Sequence, residues 1–359
     1  MDGAPTVARL RADDDAWDSF VKGSSLGFHT QLTPWTRVKA ANGWGAVRVV
    51  ADAGSGPIGA QVLTRRLGPG PFSIGYAPRG PVATTWDQGS LDAFQDSLRR
   101  TARRLRLTHV TIDPPVEDDA TGRMLTDGGW RPADEVQPRR SWELPLAQPE
   151  EALWGGLRSK WRQYVQKARR SGVVVTDGGR EDLRTFYDIF VETALRTGFI
   201  PRTFESYVAV WDAYAPSGAA QLLFARMPGG EPVATLFVLH TGSRAVEPYG
   251  GMTPAGAESR ANYLLKWEAI RRANEAGAAV YDMWGLKHSG IEQFKRGFGG
   301  REATYVGAFD LVTLPLLRDA LVTGRRVWLP VARRLYTARH GSPVRGGAED
   351  ARPAIAADA

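Results

Sequence analysis

One order of elements occurs twice in the sequence. Residues 46–50 and 57–66 alternate apolar and polar side chains across an Ala53-Gly-Ser-Gly-Pro57 turn, which predicts an antiparallel strand pair. Residues 72–76 add a strand that ends in Ala77-Pro-Arg-Gly-Pro-Val82, a turn by its proline and glycine content. Leu91, Phe94, Leu98, Ala102 and Leu105 fall on one helical face, and 109–112 is a strand that stops at Asp113. The series returns at an offset of about 170 residues, too long for a solenoid period. Strands over 221–225, 232–240 and 245–249 precede an amphipathic helix over 262–276, and a strand over 278–281 ends at Asp282. Two domains of one plan are expected, 1–148 and 149–307, with 308–340 packing back onto the first. The small, polar tail over 341–359 is expected to be disordered.

Each half reads as α+β (mixed α/β), a mixed, mostly antiparallel sheet flanked by helices. Strand–strand–strand–helix–strand is similar to the GNAT acyltransferase order, which by analogy suggests acetyl-CoA. The residues argue otherwise. A CoA pyrophosphate needs free backbone N–H groups in a glycine-rich turn before the main helix. The first half offers Ala77-Pro-Arg-Gly-Pro, where proline removes a donor. The second offers Thr253-Pro-Ala-Gly-Ala-Glu258, with an acid where a phosphate would lie.

The 359 residues, 43% hydrophobic, suffice for two cores, and the net charge of +7 favours an anionic partner. Cysteine is absent, which excludes disulfides and a thiol nucleophile, and five scattered histidines show no metal-ligand spacing. No signal or transit peptide is recognisable at the start, and no apolar run reaches the roughly 18 residues of a membrane span. A cytoplasmic protein is expected, working against the inner membrane face. Near the start, 13–22 reads as a helix. So does 28–39, with Pro34 in its first turn, Trp35 and Val38 inward and Lys39 outward.

The stretch Tyr281-Asp-Met-Trp-Gly285 to Gln293-Phe-Lys-Arg-Gly-Phe-Gly-Gly300 reads as a strand that breaks into a glycine-rich turn. Its glycines permit positive φ or a close ligand. Lys295 and Arg296 sit between Phe294 and Phe298, and such a positioned cation suits an oxyanion or a phosphate. A plain basic turn is the bland alternative. Between the repeats, Arg158, Lys160, Arg162, Lys167, Arg169 and Arg170 interleave with Trp154, Trp161 and Tyr164. The Glu150-Glu151 pair opens this segment and the basic cluster closes it, as a helix dipole favours. The pattern fits nucleic-acid phosphates or a solvated basic face.

These segments carry a family resemblance. Leu153-Trp-Gly-Gly-Leu-Arg-Ser-Lys-Trp-Arg-Gln-Tyr-Val-Gln-Lys-Ala-Arg-Arg-Ser-Gly-Val173 resembles the start of the second domain of the Fem-type (FemABX) peptidoglycan-bridge aminoacyltransferases. So do Tyr76-Ala-Pro-Arg-Gly-Pro-Val82, Phe294-Lys-Arg-Gly-Phe-Gly-Gly300 and Tyr305-Val-Gly-Ala-Phe-Asp310, all in order from about residue 28 to residue 317. The resemblance implies two tandem GNAT-like domains, without the long helical arm that some members insert. It implies transfer of an amino acid from aminoacyl-tRNA, as co-substrate, to an amine on a peptidoglycan precursor's stem peptide. Neither CoA nor metal is implied. Lys295 matches the lysine that faces the aminoacyl ester, with Phe294 beside it. Lys39 matches a lysine that holds the precursor's diphosphate. Arg202 and Tyr207 resemble a pair with the same task, at a spacing one residue longer than the family's, and Tyr249 is a further candidate contact. Arg296, Lys160, Arg162 and Lys167 are the tRNA-binding candidates.

Asp113 and Asp282 are candidates to take the amine's proton, because each is read as ending a central strand. Their bland alternative is a turn-capping aspartate. No Ser/His/Asp arrangement is recognisable, so no acyl-enzyme is expected. Apolar and basic residues mix over 315–339, interrupted by Gly324 and Pro330. The segment reads as packing on the first domain or as an interfacial helix against anionic lipid. The expected partners are aminoacyl-tRNA, a UDP-linked or lipid-linked precursor and a peripheral membrane surface, with the chain a monomer. Two rival functions remain at this stage: transfer to a natural-product amine, and a non-catalytic RNA- or membrane-binding scaffold.

Overall fold

A computed structural model describes residues 6–286 and 289–340, with side chains to residue 327. Lys287, His288 and the expected tail over 341–359 lie outside the described residues. The chain divides into two compact units, one of residues 1–139 that resumes at Thr304, the other of residues 140–303.

The first unit opens with α1 (Val7–Ala12), α2 (Asp14–Gly23) and α3 (Thr33–Ala40), then β1 (Gly45–Asp52), β2 (Pro57–Arg66), β3 (Ser73–Ala77) and β4 (Val82–Ala83). It continues through α4 (Gln88–Arg104), β5 (Leu107–Ile112), α5 (Asp119–Asp127) and β6 (Arg131–Ala133). Asp87 starts α4 by accepting the Ser90 N–H at 2.8 Å, one of the donors a first helical turn leaves unpaired. The expected stripe of α4 is buried at Leu91, Phe94, Leu98 and Ala102, in one core with Val49, Ile58, Val62 and Val110. Leu105 is exposed, past the helix end.

The second unit contains β7 (Arg140–Pro145), α6 (Glu150–Gly156), α7 (Ser159–Arg170), β8 (Val174–Gly178), α8 (Leu183–Thr197), α9 (Phe204–Tyr214) and β9 (Ala220–Arg226). Then follow β10 (Pro232–Thr241), β11 (Arg244–Met252), α10 (Pro254–Glu258), α11 (Ala261–Glu275), β12 (Val280–Gly285), α12 (Ser289–Arg296) and β13 (Arg301–Thr304). Its longest described helices, α8 and α11, have 15 residues each, so no long helical arm occurs among the described residues. The chain returns to the first unit as β14 (Ala308–Val312) and α13 (Pro315–His340).

The sheets run β1-β2-β3-β5-β14-β6 and β13-β7-β12-β11-β10-β9-β8. In each, a strand ahead of the main helix pairs in parallel with the strand after it: β3 with β5, and β11 with β12. The repeat is therefore real, and it has an exchange built in. β7 follows β6 in the chain but lies beside β12, while β14 follows β13 and lies beside β5. The crossings therefore fall at 139 and 303 rather than 148 and 307, because β7 belongs to the second sheet.

Three expected elements differ. The helix over 28–39 begins only at Thr33, after a 3-10 turn at His29–Gln31. The turn around Lys295 is a helix, α12. Gly324 and Pro330 do not end α13, although proline removes a backbone donor and glycine costs about 1 kcal/mol in a helix.

Candidate active site

β11 and β12 pair only over Arg244–Val246 and Val280–Asp282. Past this point each strand bulges. In β11, Val246 to Tyr249 spans three steps against two from Leu239 to Phe237 on β10. In β12, Asp282 to Gly285 spans three steps against two from Glu143 to Ser141 on β7. The extra residue bends a strand and re-aims its side chains. Here Trp284 takes φ +62°, and the Trp284 and Gly285 carbonyls accept from Lys295 Nζ at 3.0 and 2.7 Å.

Lys295 is buried on the last turn of α12. Two carbonyl dipoles fix the position of its ammonium, and an oxyanion-stabilising group needs such a fixed position. The expected sandwich between phenylalanines is not how the rings are used. Phe294 and Phe298 pack edge to face on each other, centroids 5.2 Å apart, and Phe294 packs the same way on Tyr263 at 5.1 Å. The glycines serve mainly this packing. A Cβ on Gly297 would lie 2.2 Å from the Trp161 indole, whose N–H donates to the Phe294 carbonyl at 3.0 Å. At Gly300, φ is +88° and a Cβ would meet the Glu143 carbonyl oxygen at 2.3 Å.

Arg296, expected at RNA, faces other charges. It pairs with Glu292 at 2.5 Å and Glu302 at 3.2 Å, and lies over the Trp142 ring. Arg140 joins the same two acids. Arg162 donates to the carbonyls of Gly155 at 2.9 Å and Leu157 at 2.5 Å, closing the end of α6. Lys160 and Lys167 are exposed on α7, with Lys160 over the Tyr164 ring at 5.7 Å.

The bulge in β11 turns Tyr249 to the face covered by α8 and α9, where its ring meets Tyr207 at 5.1 Å and 89°. Tyr207 is buried, and burial pushes its phenol well above the usual range. Its hydroxyl accepts from the Arg202 backbone N–H at 3.2 Å. Arg202, Tyr207 and Tyr249 thus gather in one place, and the loop before α9 absorbs the longer spacing.

Lys39 and Asp113 belong to the first unit. Lys39, expected to face outward, is 3% exposed, with its ammonium 5.4 Å from the Trp35 ring centre. Its place on the last turn of α3 puts it over the tryptophan it was read as opposing. Asp113 is buried and accepts from the Tyr76 hydroxyl at 2.8 Å, the Arg79 N–H at 2.5 Å and the Gln137 N–H at 3.3 Å. Burial raises its carboxyl to about 6, against the pull of Arg79 and these bonds. The Arg79 guanidinium lies against the rings of Phe28 and Tyr305, with φ +54° at the residue itself. These contacts explain Tyr76-Ala-Pro-Arg-Gly as a turn tied to Asp113. Asp282 does not end its strand. It is wholly buried within β12 and bound to Arg244 at 3.2 Å and the Trp284 N–H at 2.8 Å.

The turn at 253–258 is closed on itself as α10. Thr253 takes the Gly256 N–H on its hydroxyl at 3.2 Å and the Ala257 N–H on its carbonyl at 3.1 Å. A Cβ on Gly256 would meet the Val233 carbonyl oxygen at 2.2 Å, so this glycine is needed for packing.

A buried group that the sequence reading missed lies on the α11 face of the same strands. Lys266 of α11 donates to both carboxylate oxygens of Glu247, and the Tyr281 hydroxyl donates to Glu247 at 2.6 Å. The available signal was a lysine in the stripe of Asn262, Ala269, Ile270 and Ala273.

Residues 13–123 match the FemAB family, and residues 155–296 match the acetyltransferase (GNAT) domain. A lipid II:glycine glycyltransferase of Staphylococcus saprophyticus is 27% identical over 233 residues, 62% of this chain and 56% of that protein. In that match the chain spans little more than half of the relative. The protein of the same name from Staphylococcus haemolyticus is 22% identical over 389 residues, covering 85% of this chain and 93% of the relative. Among solved structures, FemX superimposes with a TM-score of 0.79 at 21% identity, over 86% of this chain and 98% of FemX. L-PGS from Bacillus licheniformis gives 0.51 at 12% identity, over 87% of this chain and 97% of its own.

Proposed function

The chain belongs to the FemAB family and is an acyltransferase; from that premise we propose that it moves an amino acid from aminoacyl-tRNA to an amine of a peptidoglycan precursor's stem peptide. The observation that carries this reading is the Lys295 ammonium, seated on the carbonyls of Trp284 and Gly285 where β11 and β12 part. The aminoacyl ester is already activated. A neutral acceptor amine attacks its carbonyl carbon, a C–N bond forms, and negative charge grows on the carbonyl oxygen. Lys295 stabilises that charge. The C–O bond then breaks, and the leaving ribose oxygen takes up the proton the amine gives up. Holding both substrates in register supplies much of the remaining acceleration.

No coenzyme is required by this chemistry, and the self-capped turn at 253–258 supports a CoA-free reaction. Lys160 and Lys167 meet the RNA; Arg202, Tyr207 and Tyr249 form the precursor-binding group of the second unit, and Lys39 is the first unit's own candidate for a phosphate contact. The relatives' names make glycine and lipid II the first donor and acceptor to try. A lipid-linked acceptor calls for contact with a membrane face. Among the described residues no helix is long and apolar enough to cross a membrane. α13 instead exposes Leu316 (88%) and Val327 (67%) in a segment with six arginines, suited to an anionic surface. Binding of the full chain to phosphatidylglycerol vesicles, lost in Leu316→Glu/Val327→Glu, tests that contact.

The reaction itself is tested by incubating purified protein with mixed charged tRNAs and lipid-linked or UDP-linked precursor, then reading the mass added to the acceptor. An amino-acid increment that needs charged tRNA and vanishes in Lys295→Ala supports the reading. No increment with either precursor would refute it.

A further inference from the structure

β11 and β12 separate at a point flanked by buried charge on both faces. On one face Arg244 pairs with Glu143 at 2.7 Å and Asp282 at 3.2 Å, tying β11 to β12 and β7. On the other lies the group of Lys266, Glu247 and Tyr281. Lys266 is 2% exposed, Glu247 8% and Tyr281 fully enclosed. Glu247 follows the last paired residue of β11, at the start of its bulge. Tyr281 stands on β12, three residues before the positive-φ Trp284. The Lys266 ammonium is 5.9 Å from the Tyr281 ring centre and 5.9 Å from that of Phe294. One carboxylate therefore gathers a helix and two diverging strands directly beside the neighbour of Lys295.

Stability alone does not call for this arrangement. A buried ion pair seldom outperforms well-packed apolar side chains of the same volume, because both ions lose their hydration. It does provide direction. A lysine on both carboxylate oxygens and a phenol on one of them fix the distance between β11 and β12, which an apolar contact leaves soft.

We infer that Lys266, Glu247 and Tyr281 form a positioning clamp: they set the gap between β11 and β12 and the seat of Phe294, and so aim the Trp284 and Gly285 carbonyls that hold Lys295. The inference rests on the aminoacyl-transfer reading of that site. All three residues act through others and contact no reacting atom.

The test separates charge from position. Glu247→Gln alone leaves a buried cation without its counter-ion and lowers the melting temperature. Lys266→Met with Glu247→Gln removes both charges and brings it back close to the parent value. If the clamp positions the site, this refolded double variant keeps its KM for aminoacyl-tRNA but loses kcat by about 10- to 100-fold, the scale of a small misplacement of reacting groups. A double variant that is as stable as the parent and transfers within about twofold of its rate would overturn the inference. If the parent itself transfers nothing, the functional reading fails, and hydrogen exchange still judges the clamp. Amides over 282–286 and 289–298 should exchange faster in the double variant at equal melting temperature, and unchanged protection there would also overturn it.

Discussion

The Tyr76 hydroxyl donates to the Asp113 carboxylate at 2.8 Å, inside the core of the first unit. The bond joins β3 to the residue just after β5, and the same carboxylate accepts the Arg79 and Gln137 N–H groups. With three donors on two oxygens, Asp113 is an anchor for the turn after β3, and its titration becomes a folding observable.

Folding raises this carboxyl from 3.8 to about 6, with burial as the main cause. The folded chain therefore holds a proton that the unfolded chain releases. The resulting stability is complete below pH 3.8 and is lost as pH rises through about 6, a change on the order of 3 kcal/mol. Melting temperature measured across that window should show a downward component in the parent that Asp113→Asn lacks. Parallel curves would contradict the assignment.

Lys295→Met keeps the apolar stem and removes the charge. Transfer should fall about 10²- to 10³-fold, mostly in kcat, as when a preorganised oxyanion donor is deleted. Stability should fall too, by about 1–3 kcal/mol, because the Gly285 carbonyl that loses its donor is buried. Single-turnover transfer with a saturating acceptor measures the effect directly.

Gly297→Ala should destabilise the second unit by about 1–3 kcal/mol, since a methyl at this position overlaps the Trp161 ring. Urea unfolding followed by tryptophan fluorescence reads it. A neutral result would mean that α12 and α7 slide past each other freely.

The basic residues of α7 should divide by role. Lys160→Ala and Lys167→Ala should each reduce the slope of log affinity for tRNA against log salt by a little under one, the signature of one phosphate contact. Arg162→Ala should leave that slope alone and lower stability instead, because its guanidinium is committed to the carbonyls of Gly155 and Leu157. Equal slopes in all three variants would remove α7 from the RNA surface.

Much of the fold was legible because periodicity announces strand and helix locally. The stripe of α4 and the hairpins β1–β2 and β9–β10 follow from nearest-neighbour patterning. The destination of a six-residue strand does not. Nothing in Arg140–Pro145 states which sheet will accept it, since that depends on partners far along the chain. At the site, Phe294-Lys295 stood out by composition, but the carbonyls that seat the lysine come from a bulge, which leaves no pattern of its own. Lys39 and Lys266 were misread or missed for one reason: lysine is nearly always exposed, and only the neighbouring Trp35 and Glu247 reverse that here.

The crossing of β7 and β14 bears on how the polypeptide is made. As the ribosome releases the chain from its amino end, the first sheet emerges with an open slot beside β5, and the strand that fills it is translated only after the entire second unit. The second unit has all of its strands by β13 and can close earlier. The slot between β5 and β6 therefore stays unfilled until β14 has been made, by which point the second sheet lacks none of its strands.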